Sequence, residues 1–193
     1  MIFTARKNLK LDVSDRQIEI LVGCLVGDAY LTKLGKIQIE QSEKQREYID
    51  WKYQELASIS YSQPKKVVRF EKSDNRVTKS LRFWTRQYFR SWRDKFYCGN
   101  RKIFPKDLMN LIAPLSIAVW YMDDGCYQKF DCTISSESFD FESREQLINK
   151  LRSLEIEAIP RGKGKIRIRS SSLNKFFELV RPYIHQSMLY KLS

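Results

Sequence analysis

The chain has 193 residues, 42% of them hydrophobic and 13% aromatic, which is enough to bury a core and argues against intrinsic disorder. It carries 35 Lys and Arg against 23 Asp and Glu, a formal net charge of +12, which indicates a polyanionic partner, most simply nucleic acid. No apolar run reaches the length of a membrane span, so we expect no membrane association. The four cysteines show no C-x-x-C spacing and are interpreted as reduced thiols of an intracellular protein, not as a zinc or disulfide framework.

The first half of the chain, residues 1–100, begins with a basic arm over residues 1–13 that has no clear element. Ser14 and Gln17 then form a capping box, which predicts an apolar helix over about residues 15–28. The elements predicted after it are a half-buried strand within 31–40, a helix opened by a second capping box at Ser42 and Gln45, strands at 65–70 and 77–84 joined by a turn at 73–75, and an aromatic helix at 88–97.

The second half, residues 101–193, repeats this order. Its apolar helix is predicted over 114–124, since Pro114 suits the first turn of a helix and Gly125 suits its end. The elements that follow are a strand pair at 125–136, a helix around 147–154, two strands that flank a hairpin signal at 161–164, and a last helix at 173–184. The sequence therefore predicts an α+β fold of two pseudo-twofold αββαββα units.

The two apolar helices share one further feature, because each ends on an acidic residue, Asp28 or Asp124, at equivalent points of the two halves. The C-terminal end of a helix is the negative end of its dipole and exposes free carbonyls, so carboxylates there are unfavourable on their own. Carboxylates and carbonyls together make a hard oxygen site that suits Mg²⁺ or Ca²⁺. The alternative interpretation is two ordinary buried helices with acidic ends.

The stretches LVGCLVGDA, at 21–29, and IAVWYMDDG, at 117–125, resemble the paired motifs of the single-chain, intron-encoded LAGLIDADG homing endonucleases. The resemblance covers nearly the whole chain, including the closing Tyr-Lys-Leu at 190–192. It implies that the motif helices pack at the centre of the molecule and that antiparallel sheets form a DNA-binding saddle. It also implies a double-strand break with 3′ overhangs at a long asymmetric DNA target, which promotes intron mobility.

The two motifs differ at two positions that matter for packing. Gly23 and Gly27 lie four residues apart on one helix face, where they let another backbone approach closely. The second motif has Val119 and Asp123 at these positions. We therefore expect close contact to depend more on the first motif and on Ala118, with only approximate twofold symmetry.

The resemblance also assigns chemistry to particular residues. The motif aspartates Asp28 and Asp124 would be catalytic and would hold Mg²⁺, with the backbone carbonyls of Gly27 and Asp123 as further ligands. Mn²⁺ is expected to substitute, and Ca²⁺ to bind without supporting cleavage. Two more positions match the basic residues that assist the attacking water in the family, although two ordinary surface lysines are the alternative; these positions are Lys102 and Lys191.

The segment from Lys165 to Arg169 is the clearest local signal outside the motifs. Period-2 alternation places three basic residues on one strand face and two isoleucines on the other, as expected of a strand that contacts DNA. A solvated strand face is the alternative. The predicted DNA-binding residues are Lys33, Lys36, Gln38, Arg69, Arg82, Lys163, Lys165, Arg167 and Arg169.

Two other functions remain open: an intron maturase that binds intron RNA, and a DNA-binding protein of the same fold that does not cleave. Both motifs lie in one chain, so we expect a monomer on double-stranded DNA, in an organelle or in a phage or bacterial host. The single histidine, His185, is predicted to be structural. Asp50 and Lys52 have the spacing of a restriction-type site, but mid-helix we expect them to form an exposed surface pair.

Overall fold

The computed structural model describes residues 1–5, 9–73 and 75–192. Residues 6–8 of the predicted arm, Asp74 of the predicted turn and Ser193 lie outside the described residues. The helices are α1 (Asp15–Val26), α2 (Arg46–Leu56), α3 (Arg90–Phe96), α4 (Pro114–Asp124), α5 (Phe141–Ser153) and α6 (Leu173–Val180). The strands are β1 (Ile2–Thr4), β2 (Lys10–Asp12), β3 (Tyr30–Leu31), β4 (Ile37–Ser42), β5 (Lys65–Glu71), β6 (Arg76–Trp84), β7 (Tyr97–Cys98), β8 (Arg101–Lys102), β9 (Gly125–Gln128), β10 (Asp131–Ser135), β11 (Ala158–Arg161) and β12 (Lys165–Ile168).

Two four-stranded antiparallel sheets have the same internal order, β3–β4–β6–β5 in the first half and β9–β10–β12–β11 in the second. Each half therefore contains a motif helix, two strands, a helix, two strands and a helix, which confirms the predicted αββαββα repeat. On both sheets isoleucines alternate inward, with Ile37 and Ile39 buried on β4, and Ile166 and Ile168 buried on β12. The exact boundary at residue 100 stays a prediction.

The motif helices begin where their local sequence predicts. Ser14 Oγ accepts a hydrogen bond from the Gln17 amide at 3.2 Å, and the Ser14 amide donates to Gln17 Oε1 at 3.2 Å, which is the predicted capping box. Pro114 opens α4 because its missing N–H has no partner to lose in a first helical turn. The helix α1 ends at Val26, two residues before Asp28, whereas α4 extends through Asp124.

The glycines of α1 admit the backbone of α4. A Cβ atom on Gly23 would lie 2.6 Å from the Ser116 carbonyl oxygen and 2.7 Å from Val119 Cβ. A Cβ atom on Gly27 would lie 2.8 Å from a side-chain oxygen of Asp123. Larger residues would therefore push the helices apart, and the close contact depends on the first motif as predicted.

The prediction that residues 1–13 contain no element is wrong. Strands β1 and β2 form an antiparallel hairpin, and the Met1 amino group donates to the Val13 carbonyl at 2.8 Å. Phe3 is buried, with its ring centroid 4.7 Å from that of Phe89 and 5.2 Å from that of Trp92. A three-residue strand is too short to show a period, so this hairpin is specified by tertiary packing around Phe3.

Three other boundaries differ from the prediction. Ser42 caps a single 3₁₀ turn, and α2 begins only at Arg46, so the second capping box is wrong. The last helix ends at Val180, because Pro182 has no N–H and the chain continues in a 3₁₀ turn. The aromatic helix predicted at 88–97 ends at Phe96, where the hairpin β7–β8 begins, and this hairpin turns at Gly99 with φ of 61°. No helix among the described residues is long and apolar enough to cross a membrane.

Candidate active site and nucleic-acid interface

The carboxylates of Asp28 and Asp124 line one cleft of about 290 Å³ at the paired C-terminal ends of the motif helices. The full lining of this cleft is Gly27, Asp28, Lys102, Asp124, Ser135, Glu137 and Ser138. The structure thus brings together the motif acids and one predicted lysine. The last three residues were missed because Ser135 ends strand β10 and the other two lie in the turn after it, without a recognisable spacing, and only the fold places them here.

The electrostatics of the cleft disfavour two bare carboxylates. Burial, followed by the negative charges of Asp28 and Asp123, raises the pKa of Asp124 to about 8. Asp28 is exposed, so the two acids differ in their access to water. A cation placed between them would remove the repulsion that the helix ends and the paired charges create.

Lysine side chains cover the carbonyls at both motif ends in the same way. Lys102 Nζ donates to the carbonyl of Gly27 at 2.8 Å and to that of Ala29 at 3.2 Å. Lys191 Nζ donates to the carbonyl of Met122 at 2.5 Å and to that of Asp123 at 3.2 Å. Each lysine thus contacts one of the two carbonyl oxygens that the resemblance names as ligands.

Burial sets the acidity of these two amines. Lys102 is 8% exposed, and burial lowers its pKa to about 8 despite the opposing charges of Asp124 and Asp28. Burial likewise lowers the pKa of Lys191, which is half-buried. Neither amine is free on the surface, since both lie against the carbonyls at the motif ends, and a catalytic role for the two lysines stays a prediction.

The side chain of Asp123 is committed to a buried ion pair. Lys52 Nζ lies 2.6 Å from Asp123 Oδ1 and 2.9 Å from Oδ2. Tyr48 Oη and Gln41 Nε2 each donate to Oδ1 at 3.0 Å. The side chains of the pair are 1% and 0% exposed, and although burial opposes it, the carboxylate raises the pKa of Lys52. Burial also raises the pKa of Asp123, and the contacts with Lys52 and Tyr48 oppose that effect.

The expectation that Lys52 belongs to an exposed surface pair is wrong. It lies on the buried face of α2, and its partner comes from the other half of the chain. The sequence around Lys52 gives no signal of a carboxylate 71 residues away. The residue Asp123 as a whole is only half-buried although its side chain is fully buried, so its backbone is the part that solvent or a ligand reaches.

His185 packs against two aromatic residues of α2. It lies beyond the end of α6. Its ring centroid lies 5.9 Å from that of Trp51 and 6.4 Å from that of Tyr48. Its Nδ1 atom is 2.8 Å from Ser187 Oγ. These packing contacts agree with the predicted structural role.

The second sheet has the predicted basic face. Lys165 and Arg167 lie opposite the buried isoleucines of β12, and Ser135, paired with Lys165, lines the carboxylate cleft. The basic face therefore opens towards the acids. Arg169 lies one residue beyond the strand, which ends at Ile168, and Lys163 is exposed in the turn with φ of 62°.

On the first sheet the predicted DNA-binding residues gather around an acid. Arg69 Nη1 and Arg82 Nε lie 2.6 and 2.7 Å from the carboxylate oxygens of Glu40, and Gln38 Nε2 donates to the same carboxylate at 3.1 Å. Lys33 is exposed in the turn before β4, and Lys36 Nζ lies 5.3 Å from the ring centroid of Tyr61. The role of Glu40 was missed because its partners lie 29 and 42 residues further along the chain.

Paired motif helices between two matching antiparallel sheets define a two-motif LAGLIDADG protein. The profile of the LAGLIDADG DNA endonuclease family matches residues 18–176, and the chain belongs to this family. The fold is similar to that of the homing endonuclease I-WcaI bound to its DNA recognition sequence, with a TM-score of 0.85 and 27% identity over 95% of this chain and 88% of that chain. The predicted α+β fold class is thereby confirmed.

Curated relatives carry names of three kinds. The chain is 25% identical to the cytochrome b mRNA maturase bI2 of Debaryomyces hansenii, over 96% of this chain and 77% of that protein. It is 28% identical to the probable intron-encoded endonuclease 1 of Wickerhamomyces canadensis, over 93% and 85%. It is also 27% identical to the protein RecA of Mycolicibacterium chitae over 93% of this chain, but it spans only 47% of that protein.

Proposed function

We propose that this chain is a site-specific DNA endonuclease that makes a metal-dependent double-strand break with 3′ overhangs at a long asymmetric target, and so promotes intron mobility. The observation that carries the proposal is the meeting of Asp28 and Asp124 in one cleft at the ends of paired motif helices. Membership of a DNA endonuclease family supports it. The basic sheet face that opens onto the same cleft supplies a surface for the substrate.

The donor atoms at the motif ends fit Mg²⁺. Asp28 and Asp124 would provide carboxylates, and Gly27 and Asp123 would provide carbonyl oxygens, a set of hard oxygen ligands. Among the described residues no group of three or more His, Cys, Asp or Glu side chains could hold a metal ion, so the remaining ligands would be phosphate oxygens and water. When bound, Mg²⁺ supplies an activated water and neutralises charge on the scissile phosphate. We expect Mn²⁺ to substitute and Ca²⁺ to bind without supporting cleavage.

In this proposal the two lysines act beside the acids. Lys102 and Lys191 hold positive charge at the two motif ends, where a phosphate would gain negative charge during hydrolysis. The lowered pKa of Lys102 also allows its amine to accept or return a proton near neutral pH. Both roles require only the positions that the fold already gives these side chains.

We also propose that one chain acts alone on double-stranded DNA, because it contains both motifs and both sheets. Sedimentation of the protein with a cleavable duplex should give one chain per duplex, and two chains per duplex would contradict this. Relatives named as an intron-encoded endonuclease and a cytochrome b mRNA maturase favour an intron-encoded, organellar origin.

A second candidate function is RNA binding as an intron maturase. It is favoured by the relative of that name, which aligns over 96% of this chain. Retention of both motif acids does not separate the two functions, because a maturase has no need to lose them. A DNA-binding protein that does not cleave is the remaining possibility, and the lined cleft argues against it.

The deciding experiment incubates the wild-type protein with a randomised duplex library in Mg²⁺, in Ca²⁺ and in chelator, and sequences the ends. Selective cutting with 3′ overhangs in Mg²⁺ alone is the expected result. The same protein is titrated against the RNA of its host intron in parallel. Tight, specific RNA binding without any DNA cutting would transfer the function to the maturase.

A further inference from the structure

Each four-stranded sheet holds one carboxylate between two arginines, and the three residues come from equivalent strands. In the first sheet they are Glu40 on β4, Arg82 on β6 and Arg69 on β5. In the second sheet they are Asp131 on β10, Arg167 on β12 and Arg161 on β11. We call each set an arginine clamp. The two clamps lie at different positions along these strands, because Arg82 pairs directly with Glu40, whereas Arg167 pairs with Thr133, two residues beyond Asp131.

Both clamps place an arginine Nε against the carboxylate. Arg82 Nε donates to Glu40 at 2.7 Å, whereas Arg167 Nε lies 2.6 Å from Asp131 Oδ2 without the alignment of a hydrogen bond. The Nε contact does not use the edge of the guanidinium formed by its two terminal amino groups, which is the edge that makes bidentate contacts with guanine O6 and N7. The second arginine of each clamp, Arg69 or Arg161, contacts the carboxylate through Nη1.

The first clamp is the tighter of the two. Glu40 also receives hydrogen bonds from Gln38 and Ser80, and Arg69 contacts both of its oxygens, at 2.6 and 3.0 Å. These donors outweigh burial and lower the pKa of Glu40 to about 2, so the carboxylate stays charged at any pH used for binding. Asp131 has the longer second contact, 3.4 Å to Arg161, and one buried oxygen without a hydrogen-bond partner in the described part of the chain.

We propose that Glu40 and Asp131 are positioning residues for sequence discrimination, which hold Arg82 and Arg167 in one orientation and weaken their attraction to phosphate. The inference rests on the proposed DNA-binding function. A fixed guanidinium loses less freedom when it contacts a base edge, and a carboxylate beside it repels the phosphates of any duplex. Both effects favour the correct sequence relative to an arbitrary one.

The Glu40→Gln variant separates this role from a simple change in charge. Its matched control is Glu55→Gln, because Glu55 also holds an arginine, Arg16, at 2.6 and 2.8 Å. Arg16 lies at the start of α1, and at 1.5 Å per residue it is about 18 Å from the motif acid Asp28. Both variants gain one unit of charge. Affinity for a mixed-sequence duplex is measured over a range of salt concentrations, and sequence discrimination by cleavage or binding selection from a randomised library.

The two variants should behave differently. Glu40→Gln should bind the mixed-sequence duplex about fivefold more tightly in low salt, with a log–log salt slope steeper by about one, and its specific-to-nonspecific affinity ratio should fall about tenfold. Glu55→Gln should match the wild type in slope and ratio. Asp131→Asn should change in the same direction as Glu40→Gln but less, since its clamp is looser.

A second variant protects the test if Glu40→Gln unfolds. Arg82→Lys keeps the charge but removes the guanidinium fork, so it should lose discrimination while its nonspecific salt slope stays unchanged. Identical behaviour of Glu40→Gln and Glu55→Gln, or full discrimination by Arg82→Lys, would overturn the clamp proposal. If the wild type itself does not bind duplex DNA, both the proposed function and the clamp proposal fail. If the wild type binds and discriminates but the variants do not differ, only the clamp proposal fails.

Discussion

The two motif helices end in different surroundings although their motif acids, Asp28 and Asp124, correspond. At the end of α1 stands Gly27, whose missing Cβ leaves room for a neighbouring side chain. At the end of α4 stands Asp123, which fills that room and needs Lys52, Tyr48 and Gln41 to balance its buried charge. All three supporting residues belong to the first half of the chain.

This difference separates the parts of the candidate site that are matched in the two halves from the parts that are not. The acids, the two carbonyls and the lysine that covers each carbonyl are matched in the two halves. The packing beneath them is free to differ, provided that each buried charge finds a partner. The symmetry of the site therefore need not extend to the core that supports it.

The strongest test of the matched part is to remove each acid in turn. Asp28→Asn or Asp124→Asn should each reduce double-strand cleavage in Mg²⁺ by about 10³-fold or more, because each removes a charged ligand of the metal. DNA binding should persist, since loss of a negative charge does not weaken attraction to phosphate. Cleavage and gel-shift assays measure both. Asp15→Asn, at the other end of α1, is the control, and undiminished cutting by either motif variant would exclude that acid from the site.

The largest effect on stability should come from the ion pair between Lys52 and Asp123, which has no counterpart at Gly27. Lys52→Met leaves the carboxylate of Asp123 buried without its partner and should lower the free energy of unfolding by about 3–5 kcal/mol. Urea unfolding measures the loss, with Lys44→Met as an exposed control of the same chemistry. Adding Asp123→Asn should recover at least about half of it. A loss equal to that of the control would mean that the ion pair contributes nothing.

The close approach of the motif helices predicts an intermediate effect. Alanine favours a helix over glycine by about 1 kcal/mol, but over-packing costs about 1–3 kcal/mol. At Gly23 the added methyl meets a backbone oxygen at 2.6 Å, so strain should prevail and Gly23→Ala should destabilise by about 1–2 kcal/mol. Gly162→Ala, where no atom lies within 4 Å, is the matched control in thermal unfolding. Equal melting temperatures would show that the helices can separate freely.

The smallest effect concerns pH in the absence of metal. The pKa of Asp124 in the fold, about 8, exceeds its unfolded value, so the fold binds an extra proton between pH 4 and 8 and loses stability as pH rises through that window. Asp124→Asn removes this loss. Its stability relative to wild type should increase from pH 5 to pH 8.5 by about 1 kcal/mol, after allowance for solvent screening. Chemical denaturation in chelator at both pH values measures this, and a flat difference would contradict the raised pKa.

Local patterns in the sequence were sufficient for most of the fold. The capping box at Ser14, the proline that opens α4 and the alternation along β12 each concern neighbouring residues, and the structure confirms all three. The N-terminal hairpin was not predictable, because Phe3 is fixed by aromatic side chains about 90 residues away. A short element that is held by distant contacts has too few residues to show a hydrophobic period from which it could be predicted.

The residues of the candidate site likewise fall into those that the sequence identifies and those that only the fold brings together. The motif acids and the lysines were found because the family resemblance supplies their positions, and the structure places both lysines on the motif carbonyls. Lys52, Glu40 and Glu137 were not found, since each acquires its role from residues that only folding brings near. Lys52 was even assigned to the surface, because a charged side chain on a helix is exposed far more often than it is buried.

The ion pair between Lys52 and Asp123 has a consequence for which halves can associate. Were two first halves to pair with each other, each Lys52 would face a glycine, Gly27, at the place where Asp123 now stands. Two ammonium groups would then be buried without a carboxylate, at a cost of several kcal/mol each. By this argument the ion pair disfavours the pairing of two first halves and favours the pairing of the first half with the second.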